Sequence, residues 1–220
     1  LVLVVVTVAG GVWLATTGQP RMQPADLLAL QQPDEPDAAV ETVDTVEPEQ
    51  AHPPAGPPTL EAFTANWPQF RGPFGSGVAG EGDYPETWDG PTNTNIRWKT
   101  PIPLPGHNSI VAWGDRVFCT GATETKRQVY CLDAETGRTM WQRNVTDLIG
   151  SPFEPPQVWD ETGYAAPTAA TDGRRVFAIF ANGDLVAYDF EGERTWGLAL
   201  GNPDNAYGHS TSLVVHRDLL

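Results

Sequence analysis

The feature that most constrains this chain is an internal repeat. Ser109-Ile-Val-Ala-Trp-Gly-Asp-Arg-Val-Phe118, Val129-Tyr-Cys-Leu-Asp133 and Thr136-Gly-Arg-Thr-Met-Trp141 make up a first copy. Ala166-Pro-Thr-Ala-Ala-Thr-Asp-Gly-Arg-Arg-Val-Phe177, Leu185-Val-Ala-Tyr-Asp189 and Gly192-Glu-Arg-Thr-Trp196 make up a second, and a third opens at Ser210-Thr-Ser-Leu-Val-Val-His-Arg-Asp-Leu-Leu220. Val117 and Val176 are 59 residues apart, Asp133 and Asp189 are 56 apart, and Val176 and Leu219 are 43 apart. Within each copy, short runs of β-branched and aromatic residues are divided by turn signals, with no helical periodicity. Asp115-Arg116 and Asp172-Gly173 separate strand one from strand two. Asn182-Gly183 separates strands two and three, and suits a two-residue type I′ turn that needs φ > 0 at both positions. Asp133 to Gly137 and Asp189 to Gly192 separate strands three and four. A four-stranded repeat of about this length is a propeller blade. The expected fold class is therefore all-β, a β-propeller of four-stranded blades. It is expected as a fragment of two complete blades and part of a third, because closed rings use about 4–8.

Charge removes one class of function. The chain has 28 acidic and 13 basic residues, a net charge of −15. A nucleic-acid binder needs a basic face to displace counterions from phosphates, so no nucleic-acid partner is expected. Two cysteines are too few for a disulfide scaffold or a Cys-rich zinc site.

The ends differ from the repeat. Residues 1–18 begin with an uncharged apolar run from Leu1 to Ala15. As a helix of about sixteen residues it would span roughly 24 Å, short of a hydrocarbon core of about 30 Å. Leu1 is not Met, so a longer protein is expected, in which residues upstream would complete a transmembrane anchor. The apolar core of a signal peptide and a buried strand are the other readings. Both leading readings carry the rest of the chain out of the cytoplasm. Residues 19–62 read as a disordered linker: positions 19–60 hold nine prolines, eight acids and no aromatic residue. Such a segment buries too little apolar surface to offset chain entropy. Residues 63–220 are the partial propeller, and seven of the eight tryptophans lie at position 67 or later.

At the third turn the repeat becomes more specific. Cys131-Leu-Asp133-Ala-Glu-Thr-Gly137-Arg-Thr-Met-Trp141 and Ala187-Tyr-Asp189-Phe-Glu-Gly192-Glu-Arg-Thr-Trp196 resemble the repeat of the pyrroloquinoline-quinone-type propellers. The second copy lacks the Thr before Gly and is one residue shorter. Trp67-Pro-Gln-Phe-Arg-Gly-Pro73 is similar to the leading segment of a bacterial, membrane-anchored subfamily. The resemblance implies that Trp141 and Trp196 dock between neighbouring blades, with Asp133, Gly137, Asp189 and Gly192 shaping the turns. Ile96-Arg-Trp98-Lys looks like a further outer strand, which makes Trp98 a third docking residue. The family includes quinoprotein dehydrogenases, outer-membrane assembly scaffolds and sensor domains. Its dehydrogenases use a quinone pocket on the channel axis, a calcium held by Glu and Asn, a catalytic Asp and an adjacent Cys-Cys pair. Cys119 and Cys131 are not adjacent, and no residue here falls on those motifs, so no catalytic, cofactor or metal residue is assigned.

Two further expectations concern particular side chains. Gly106-His107-Asn108-Ser109 and Gly208-His209-Ser-Thr211 both precede strand one of a blade. His107, Asn108 and His209 are therefore candidate ligand positions at one mouth of the channel. The alternative is histidines satisfied by nearby backbone at a tight turn. His52 and His216 have no partners and read as solvated. Pairing across Asn182-Gly183 would set Ala178 opposite Ala187, which maps onto Cys119 opposite Cys131. Those two cysteines then form either a disulfide or a pair of small buried thiols.

The sequence thus points to a non-catalytic scaffold or binding module, outside the cytoplasm on the periplasmic side, anchored by its first segment to the inner membrane. Protein or small-molecule ligands would bind the propeller surface, and no cofactor is expected. A quinone-dependent dehydrogenase with quinone and calcium is one alternative. The extracytoplasmic sensor domain of a signalling protein is another.

Overall fold

The computed structural model describes residues 56–220. The apolar run of residues 1–18, His52 and most of the expected linker lie outside the described residues. The last residues of the segment expected as linker, up to residue 62, are described. Helix α1 (Leu60–Thr64) overlaps them, with the Thr59 side chain accepting from the Ala62 N–H at 3.2 Å. Among the described residues no helix is long and apolar enough to cross a membrane.

The repeat folds into two antiparallel sheets of four strands. The first contains β1 (Val111–Trp113), β2 (Arg116–Ala122), β3 (Arg127–Asp133) and β4 (Thr139–Asn144), hydrogen-bonded in chain order. The second contains β5 (Ala170–Thr171), β6 (Arg175–Ile179), β7 (Asp184–Asp189) and β8 (Arg194–Ala199), in the same order. Both sheets bulge at one equivalent place. Cys131 pairs with Trp141 while Leu132 pairs with Thr139, and Ala187 pairs with Trp196 while Tyr188 pairs with Arg194. The extra residue in the outer strand, Met140 or Thr195, re-aims the tryptophan beside it.

Both sheet faces are apolar, and the alternation of strand residues decides which neighbour each face meets. Val111, Phe118, Cys131 and Trp141 on the forward face of the first sheet join a core with Val176, Ala178, Val186 and Tyr188 on the rear face of the second. One repeat further on, Ala170, Phe177, Ala187 and Trp196 occupy the forward positions and pack with Leu213 and Val215 of the third copy. Residues 96–99, expected as an outer strand, pair with no strand among the described residues.

The expected register is wrong by one residue. The chain turns after Phe180 through Ala181, Asn182 and Gly183, with the Gly183 N–H on the Phe180 carbonyl at 2.8 Å and Gly183 at φ 81°. This is a three-residue loop with a left-handed closing glycine, not a two-residue type I′ turn. Asn182 spends its side chain on Asp184 instead, its Nδ2 donating to Oδ2 at 2.8 Å. Ala178 therefore faces Val186, and Phe177 faces Ala187. In the first sheet Cys131 faces Phe118 and Cys119 faces Tyr130. A one-residue slip moves a side chain to the other face, so Cys119 and Cys131 are not opposed. They point to opposite sides of the sheet as free, buried thiols.

Burial pushes both thiols up to about 12. At pH 8 the folded chain should resist alkylation at both positions, because both are protonated and enclosed. After unfolding without reductant, two thiols should react with a chromogenic disulfide reagent; a result of none would restore the bridge.

Candidate functional site

The outer rim is organised by tryptophans that reach the turn of the next sheet. Trp141 donates its indole N–H to the Phe190 carbonyl at 2.8 Å, and a Cβ on Gly192 would fall 2.9 Å from the indole ring. Trp98 makes the equivalent contact one repeat earlier, donating to the Ala134 carbonyl at 2.9 Å while lying against Gly137. Gly137 and Gly192 have φ of 71° and 85°, so only glycine meets both the backbone and the spatial demand there. Asp133 holds its turn by accepting from the Thr136 N–H and hydroxyl, both at 2.7 Å, and these bonds hold its carboxyl below the usual value. Asp189 accepts from the Glu193 N–H at 2.7 Å. Trp196 is half-buried against Phe177, with ring centroids 5.9 Å apart. Trp113, which sequence reasoning passed over, packs on Gly173 of the next sheet's first turn.

The axial side carries a second device, built by the start of the Trp67–Pro73 segment. Trp67, Pro68 and Gln69 run across three successive inner strands. The Ala112 N–H donates to the Trp67 carbonyl at 2.8 Å, the Thr171 N–H to the Pro68 carbonyl at 2.8 Å, and the Val215 N–H to Gln69 Oε1 at 3.1 Å. Ala112, Thr171 and Val215 are equivalent positions. Gln69 is buried, and its side-chain carbonyl replaces a backbone carbonyl at the third repeat. At the other end of these strands, the Ser109 N–H donates to Thr168 Oγ1 at 3.0 Å and the Thr168 N–H to Ser212 Oγ at 3.1 Å. Both sets give a step of 44 residues to the third copy rather than 43, so its equivalent of Val176 is Leu220, not Leu219.

That step separates the two histidines. His107 and His209 are one position out of equivalence, and they differ in environment. His107 is exposed, with its ring beside Gly163. His209 is partly buried, and its Nε2 lies 3.0 Å from the Gly201 carbonyl. Asn108 Nδ2 donates to the Thr120 and Ala165 carbonyls at 2.9 and 3.0 Å. Among the described residues no group of three or more His, Cys, Asp or Glu could hold a metal. The buried carboxylate of Asp184 faces the Arg127 guanidinium at 2.9 Å across the two sheets and also accepts from Ser151 Oγ at 3.0 Å. A carboxylate engaged by a guanidinium makes a poor calcium ligand.

The connections between sheets meet at the same end as His107 and His209. Residues 156–159 and 202–206 enclose a cleft of about 530 Å³. Trp159 stacks on Tyr207 at 6.1 Å, yet is 57% exposed. Ile149 and Phe153 beside it in the chain are fully exposed.

Four-stranded antiparallel sheets, repeated with tryptophans docked into glycine turns, define the chain as a propeller-repeat protein. Residues 87–218, more than half of the chain, match the family model described as "Outer membrane protein assembly factor BamB", and the chain belongs to this family of pyrroloquinoline-quinone-type propeller repeats. Among solved structures it is similar to the crystal structure of BamB from Moraxella catarrhalis, at 20% identity and a TM-score of 0.33, covering 47% of this chain and 26% of that one. It is also similar to a europium-containing methanol dehydrogenase, at 18% identity and a TM-score of 0.35, covering 50% of this chain and 20% of that one. The chain thus spans about a quarter or less of these relatives. No curated protein sequence matches it.

Two substitutions test this architecture. Trp141→Ala should lower stability by about 3–5 kcal/mol, as for other buried tryptophans; an unchanged melting temperature would remove its docking role. Gln69→Ala should cost about 1–3 kcal/mol by orphaning the buried Val215 N–H. Hydrogen exchange should rise first at Val215 rather than at Ala112, which keeps its bond to Trp67.

Proposed function

We propose that the chain is a non-catalytic propeller scaffold outside the cytoplasm. Residues 1–18 tether it to the membrane, and the segment up to α1 acts as a spacer. The loop end of the propeller, which carries Ile149, Phe153, Trp159 and Tyr207, receives a protein partner. The observation that carries this reading is the commitment of the axial polar groups. Trp67 to Gln69 cross the inner strands at one end, and the Thr168 and Ser212 hydroxyls accept from the Ser109 and Thr168 N–H groups at the other. Asn108 and His209 are likewise bonded to carbonyls. A redox centre on the axis would need such groups free to hold its carbonyls and metal. The connecting loops expose large apolar side chains, as binding surfaces do. A family described as an assembly factor agrees with a protein partner.

The test is enzymatic. The full-length protein, supplied with quinone and calcium, should give no dye-linked oxidation of alcohols or sugars. Saturable quinone binding with turnover would overturn the scaffold reading.

A further inference from the structure

The cleft at the loop end has a composition that selects its occupant. One wall is Pro156, Gln157 and Trp159, from the connection between the two sheets. The other is Asn202, Asp204 and Asn205, from the connection to the third repeat. The walls are braced against each other. The Trp159 N–H donates to the Ala206 carbonyl at 3.1 Å, and Asn202 Nδ2 donates to the Glu154 carbonyl at 2.9 Å. Asn205 Oδ1 takes the Tyr207 N–H at 2.8 Å, and Tyr207 in turn stacks on Trp159. The indole is therefore held in position while more than half of it stays in solvent. A large aromatic kept exposed and braced in this way marks a contact site rather than core.

Charge decides the class of ligand. Residues 145–163 and 200–209 carry Asp147, Glu154, Asp160, Glu161 and Asp204, and no Lys or Arg. None of these five is in an ion pair among the described residues. An anionic ligand would be repelled here, and a neutral one would leave the field unused. A guanidinium meets every feature of the cleft. It stacks flat on an indole, offers a fork of donors to a carboxylate, and is more weakly hydrated than an ammonium. The acceptors that line the cleft are the Asp204 carboxylate, the Asn202 amide oxygen and the Gln157 amide oxygen.

We propose that this cleft receives an arginine-bearing segment of a protein partner, with the guanidinium over Trp159 and its donors on Asp204. The inference rests on the scaffold reading and names the chemistry of the partner at that surface.

The experiment uses the full chain, with its tryptophan indoles labelled with nitrogen-15 and the Trp159 signal assigned by Trp159→Phe. The probe is a capped glycine–serine peptide bearing two arginines, compared with the same peptide carrying glutamines and with a neutral glucan tetrasaccharide. The arginine peptide should shift the Trp159 indole resonance saturably, and the glutamine peptide should not. Binding should weaken steadily as salt rises from about 50 to about 500 mM. Asp204→Asn, an exposed change that leaves the folded spectrum intact, should weaken binding about tenfold. The proposal fails if the glutamine peptide or the tetrasaccharide shifts Trp159 as well as the arginine peptide does. It fails equally if Asp204→Asn has no effect, or if no probe shifts Trp159. All of these outcomes leave the scaffold reading standing, since that reading is decided by the oxidation assay.

Discussion

Each four-stranded sheet here is apolar on both faces and can cover neither by itself. That constraint organises everything else. Phe118, Cys131 and Trp141 need the rear face of the second sheet, and Phe177, Ala187 and Trp196 need the third repeat. Stability is therefore a property of neighbouring pairs rather than of single sheets, as in other repeat architectures. The bulge beside Trp141 and Trp196 serves the same need, because it turns an outer-strand side chain toward the adjoining sheet. Gly137 and Gly192 lack side chains because those indoles occupy the space.

The polar groups follow a parallel rule. Inner strands have no neighbour on their axial edge, so their N–H groups require acceptors from elsewhere. At one end Trp67, Pro68 and Gln69 supply them, one residue per repeat. At the other, hydroxyls at Thr168 and Ser212 supply them from the repeat ahead. Between the sheets, Asp184 is buried with Arg127, Ser151 and Asn182 around it. A buried carboxylate without partners would be costly. Here the partners come from both sheets and the connection between them, which fixes how the sheets meet at the loop end.

This division explains what could be read from the residues. The four-stranded sheets were legible because Trp, Asp and Gly at their turns answer local demands that recur. The register between Cys119 and Cys131 was not. Asn-Gly fits a two-residue loop, but it also fits a three-residue loop closed by glycine, and the Gly183 N–H on the Phe180 carbonyl shows which is used. Two adjacent leucines, Leu219 and Leu220, hid the one-residue offset of the third copy, and that offset made His107 and His209 look equivalent. The bonding role of the Trp67–Gln69 segment was invisible for a different reason. Gln69 acts through a side-chain carbonyl on a backbone N–H 146 residues away, and no spacing rule reports such a bond.

Among the surfaces left after these demands are met are the connections between sheets. Rim residues are held by docking and axial residues by hydrogen bonding, so substitution at either would be felt as lost stability. The connecting loops carry their own braces, such as Asn202 on Glu154 and Trp159 on Ala206, and these order the loop without filling the cleft. Order without filling is what a binding site requires, since it removes the entropy cost of arranging the loop when a partner arrives. The braced loops at this end are therefore the face on which the proposed partner would be received, and the sheets behind them hold that face still.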